Sequence, residues 1–140
     1  MAGHDLSRVA LSDTAMSTVR RSLIAMFILC SGHRTFTVFA LDTHKSIAHP
    51  PMPAGADVVK LDLGLSRIYV ACSSGFISVF QAQDAEHYRK LEDFPVQKMV
   101  HSLAVDPTTH RVYAPEQQEN GQPVARMIVY EALTSDRSKP

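Results

Sequence analysis

Asp57 and His101 are the residues of this chain best placed to do chemistry. Asp57 stands just before the apolar stretch VVKLDL, and His101 just before SLAVD. A carboxylate and an imidazole brought to one opening can bind a metal or move a proton. The plainer account is that each bonds backbone amides of adjacent loops. A metal site needs more ligands than these two, so the sequence gives no metal site, no cofactor and no catalytic residue. Asp57 and His101 are its ligand-binding candidates. The other histidines are scattered, without an H-E-x-x-H or H-x-H pattern. His33 and His110 fall in turns and read as solvated. Ser73-Ser74-Gly75 lacks the G-x-S-x-G frame of a hydrolase nucleophile. Asp13, Asp62 and Asp84 belong to no catalytic pair, and no Gly-rich phosphate cradle is present. Cys30 and Cys72 form no C-x-x-C motif and read as small buried apolar side chains rather than a disulfide.

Whatever positions Asp57 and His101 has to be built from 140 residues, enough for one ordinary domain or part of a larger one. An apolar content of 45% fits a globular chain. Fourteen basic and fourteen acidic side chains cancel, and the densest basic spot is Arg20-Arg21. That leaves no electrostatic footprint for DNA or RNA. The longest apolar run, LIAMFILC at 23–30, is far shorter than the roughly 20 residues that span a bilayer. Phe27-Ile28-Leu29 are too large for a signal-peptidase site, so the run reads as a strand and not as a leader. The chain is expected to be neither transmembrane nor nucleic-acid-binding, and its localisation is left open.

Internal repetition gives the elements. Arg67-Ile68-Tyr69-Val70 returns as Arg111-Val112-Tyr113-Ala114, 44 residues on. Upstream, the apolar pattern matches at an offset of 42, pairing Val58 with Val100, Leu61 with Leu103 and Leu63 with Val105. The two extra residues are assigned to the turn Asp106-Pro107-Thr108-Thr109-His110, where insertion is tolerated. At that offset His101 stands where Val59 does, two places from Asp57 in register, so both face one side of their strands. Backwards, FILCSGHRTFTVFALDT at 27–43 answers YVACSSGFISVFQAQD at 69–84. Three units with a period of about 41 to 50 residues describe β-propeller blades, each a four-stranded antiparallel sheet.

In the middle unit the spacing predicts strands over 57–63, 67–72, 75–81 and 88–94. Asp106-Pro107-Thr108-Thr109 reads as a type I turn. EQQENGQP at 116–123 reads as a long exposed loop with an Asn-Gly turn signal. Tyr69, Phe80, Tyr113 and Tyr130 recur at strand positions and read as core between blades. The chain divides into a divergent segment 1–22 with spacing that suits a short helix, blade repeats over 23–133, and a disordered tail at 134–140.

The repeat resembles the last blades of YVTN-repeat, or YncE-like, seven-bladed β-propellers. In that family a blade ends near Asp-Thr, passes a Gly-containing loop, and opens the next blade with an Asp-Pro turn and an Arg-hydrophobic-Tyr-Val strand. Leu41-Asp42-Thr43, Gly55-Ala56-Asp57, Asp106-Pro107 and Arg67-Ile68-Tyr69-Val70 occupy those places, and the likeness runs over about 34–133. It implies an all-β chain of about three blades, an incomplete ring where seven blades need roughly 300 residues. It also implies a fragment of a longer protein whose relatives are often periplasmic or extracellular. Open blades expose strand edges, so self-association is expected. The function implied is a non-catalytic binding or scaffold module for an unknown protein or small-molecule ligand. The alternative is a remnant of a lactonase-like propeller enzyme acting on a sugar lactone, and a third reading is a degraded gene product.

Overall fold

Short runs of Val, Ile, Phe and Tyr, punctuated by Gly, Ser, Asp and Pro, become nine strands in a computed structural model that describes residues 34–40 and 43–133. They are β1 (Val38–Ala40), β2 (Lys45–Ala48), β3 (Ala56–Asp62), β4 (Arg67–Cys72), β5 (Phe76–Ala82), β6 (Tyr88–Pro95), β7 (Ala104–Asp106), β8 (Arg111–Glu119) and β9 (Gln122–Glu131). They form three antiparallel sheets, ordered β1-β2, β3-β4-β5-β6 and β7-β8-β9. The described residues are all-β, without a helix or a closed barrel, and the sheets are consistent with propeller-like blades. Only the middle sheet has the expected four strands among the described residues. The expected helix in 1–22, the strand at 23–30, Cys30, His33 and the tail lie outside those residues.

The middle sheet is packed on both faces. Ile68, Val70, Cys72 and Phe80 meet Phe36, Val38 and Met52 of the first unit. Tyr69, Ala71, Ile77 and Val79 meet Leu103, Val112 and Ala114 of the third. A strand covered on both sides needs no polar alternation, which is why β4 reads as the unbroken apolar run IYVAC. Among the four recurrent aromatics, Tyr69 and Phe80 are buried and Tyr130 packs against the second cluster. Tyr113 is half-buried and belongs to neither cluster.

Strand pairing corrects the repeat offset. Asp62 pairs with Arg67, Leu61 with Ile68 and Lys60 with Tyr69. Asp106 pairs with Arg111, Val105 with Val112 and Ala104 with Tyr113. Every one of these correspondences is 44 residues, so the turn carries no insertion. Ser66 and His110 both have positive φ, 51° and 58°, at the same place in their turns. Their carbonyls accept from Ala82 N and Ala132 N respectively. At this offset the same positions face the preceding sheet: Val59, Ile68 and Val70 in one unit, Leu103, Val112 and Ala114 in the next.

The segment 116–123 is also corrected. It is no loop: β8 and β9 run through it, with Glu119 opposite Gln122. Asn120 and Gly121, with φ of 52° and 78°, make a two-residue turn of the type that matches strand twist. The polar side chains are satisfied across the hairpin, where Arg126 Nε donates to Glu116 Oε2 at 2.9 Å and Arg126 Nη2 lies 2.8 Å from Glu119 Oε1. Those two carboxylates raise the Arg126 pKa, Glu119 foremost. Met127 and Val129 stand exposed on β9, whose outer edge has no partner strand among the described residues.

Candidate functional site

The first strand of the middle sheet is irregular at one place. Ala56 pairs with Cys72 but Val58 with Ala71, so Asp57 is an extra residue. Such a bulge re-aims the side chain of the residue it contains. Ala56 packs on the first cluster and Val58 on the second, which registers the change of face. The loop before it is tight. Gly55 holds φ at 78° and its carbonyl accepts from Ser73 N at 2.7 Å. A Cβ at Gly55 would run into Ser73 Oγ. Ser74 Oγ donates to Ala54 O at 2.7 Å, so the hairpin turn Ser73-Ser74-Gly75 is tied to this loop.

Asp57 meets His101 directly. Asp57 Oδ2 lies 2.6 Å from His101 Nδ1. At the corrected offset of 44 the two are strict equivalents in successive units, Asp57 within β3 and His101 ahead of β7, and not two places apart in register. Both side chains are about two-fifths exposed, at 39% and 42%. A carboxylate only accepts, so Nδ1 donates, and in the neutral ring Nε2 is left as the acceptor. The pair therefore has the form of a carboxylate-oriented imidazole.

A second such pair lies at the other end of β3. His110 Nδ1 is 2.7 Å from Asp62 Oδ2. Asp62 is fully buried, and its Oδ1 accepts from Leu65 N at 3.1 Å. His110, expected to be solvated in its turn, is instead half-buried against Asp62. Gly64 makes the room: a Cβ there would sit 2.7 Å from His110 Cε1. The 44-residue correspondence puts His110 in the place of Ser66 but does not by itself point to Asp62, 48 residues away.

Asp106 and Asp84 serve turns. Asp106 accepts from the Thr109 hydroxyl and from Thr108 N within the turn, and these bonds hold its pKa below the ordinary 3.8. Asp84 is lowered in the same way by Glu86 N and the His87 side chain. Among the described residues no three His, Cys, Asp or Glu side chains gather as a metal set. No helix among them is long and apolar enough to cross a membrane. No family model matches the chain, and comparisons with curated proteins and with solved structures give no match.

Proposed function

We propose that the chain is a non-catalytic binding or scaffold module made of β-propeller blades of the YVTN-repeat, YncE-like kind. One observation carries this reading: residues 44 apart occupy the same place on successive sheets and face the preceding sheet in the same way. The polar residues that looked free for chemistry are taken up in joining those sheets. Asp57 bonds His101 at one end of β3, and Asp62 bonds His110 at the other. Scaffolds of this kind offer rigid surfaces to a ligand or a protein partner.

A second reading is favoured by the Asp57–His101 geometry. A carboxylate that holds an imidazole, with Nε2 facing away, is the arrangement of a general base. In a lactonase-like remnant it would activate water against a sugar lactone. The expected result follows the first reading: glucono-δ-lactone in a pH-stat opens no faster with the protein than in buffer. Protein-dependent turnover that disappears in His101→Ala and Asp57→Ala would establish the enzyme instead.

A further inference from the structure

A cavity of about 220 Å³ lies between the second and third sheets. Its walls include Ile77, Val79, Leu91 and Val112, and it also meets Arg67 and Tyr69. Leu91 is the extra residue of a bulge in β6, since Val79 pairs with Glu92 and Phe80 with Lys90. That bulge turns an apolar side chain into the second cluster. Two polar groups in this apolar setting lack an acceptor. The Tyr69 hydroxyl is buried, on a residue only 4% exposed, with the Arg67 side chain beside its oxygen, and its O–H has no acceptor. The buried Arg67 Nε has none either. Arg67 Nη2 donates to Leu133 O at 2.6 Å, which fixes the guanidinium at the cavity.

We propose that this cavity is a binding site for a small carboxylate with an apolar body. An Arg67 N–H donates to the phenol oxygen, which still leaves the phenol O–H without an acceptor, so the missing group is an acceptor. Leaving buried donors unmade is costly, and natural structures seldom do so without a ligand, water or ion. The acceptor is anionic because Arg67 forms no ion pair among the described residues, and a guanidinium bonds a carboxylate with charge assistance. Two carboxylates, Glu92 and Glu131, also line the cavity. Glu131 is paired with Arg111 at 3.1 Å, and Glu92 is exposed to solvent. Burial pushes the Tyr69 phenol up from its ordinary 10.0, with Arg67 acting the other way, which keeps it a neutral donor. At protein packing density the volume holds roughly ten non-hydrogen atoms, the size of hexanoate or phenylacetate.

This proposal rests on reading the chain as a binding module, and hexanoate is the probe. Titrated into nitrogen-15-labelled protein, it is expected to shift amides of β4, β5 and β9, with a Kd on the order of 1 mM for so small a ligand. Arg67→Gln is expected to weaken binding about 10-fold and Tyr69→Phe about 4-fold. Hexan-1-ol, with the same chain and no charge, is expected to bind about 10-fold more weakly. Two variants are used because Arg67→Gln also removes the bond to Leu133 O, and each is checked for an unchanged amide spectrum. No shift at about ten times the expected Kd means that the cavity holds water alone, and overturns the proposal. So does equal binding of hexanol, or of hexanoate by both variants. None of these outcomes moves lactone turnover, so they leave the module reading standing.

Discussion

Replacing Phe80 by alanine lowers the unfolding free energy by about 4 kcal/mol. The ring is fully buried and stacks on Phe36, with centroids 5.0 Å apart and planes at 14°. Phe36 is fully buried as well and belongs to the first unit, so this stack joins the first two sheets. Truncation removes the transfer energy of the ring and leaves a hole that a two-sided sheet closes poorly. Domains are stable by about 5–15 kcal/mol, so this one change takes a large share. Urea unfolding gives the number. Val129→Ala, on the exposed face of β9, is the control and changes stability by no more than about 0.5 kcal/mol. A loss below about 1 kcal/mol in Phe80→Ala would mean that the first hairpin does not pack on the middle sheet.

His110→Ala has the second-largest effect, a loss of about 2 kcal/mol. It leaves the fully buried Asp62 carboxyl with the Leu65 N–H and without its imidazole. The figure is below the 3–5 kcal/mol typical of a broken buried pair because the His110 side chain is 30% exposed. Asp62→Asn keeps the bond to Leu65 N and weakens the one to His110. The two variants combined therefore cost less than their separate losses together, by about 1 kcal/mol. Additive losses in urea unfolding would show that Asp62 and His110 act apart.

Much of the middle sheet was legible in sequence. Arg67–Cys72 was read to the residue, and the other three strands to within a residue at each end. The signals were strong: apolar runs closed by Ser73-Ser74-Gly75 and by Gly64-Leu65-Ser66. The offset was not legible, for a physical reason. Side chains alternate with period 2, so a slip from 44 to 42 keeps every apolar residue on its face. Val–Val and Leu–Leu matches then favoured the wrong register, and only the pairing of Asp62 with Arg67 and Asp106 with Arg111 settles it. The error hid the equivalence of Asp57 and His101, although it did bring them to one place. At 116–123 the Asn-Gly turn is legible, but the strands that run up to it are not, because their polar residues read as a loop. There the ion pairs of Arg126 do what apolar contacts do elsewhere.

Sheets packed across both faces of the middle one should unfold as one unit. Native-state hydrogen exchange tests this most directly. The account predicts that the inner amides of β4 and β8 open only with global unfolding. Tyr69, Ala71, Val112 and Ala114 should then share one opening free energy, equal to that from urea. If β8 instead opens several kcal/mol more easily than β4, the second and third sheets are independent, and the account is wrong.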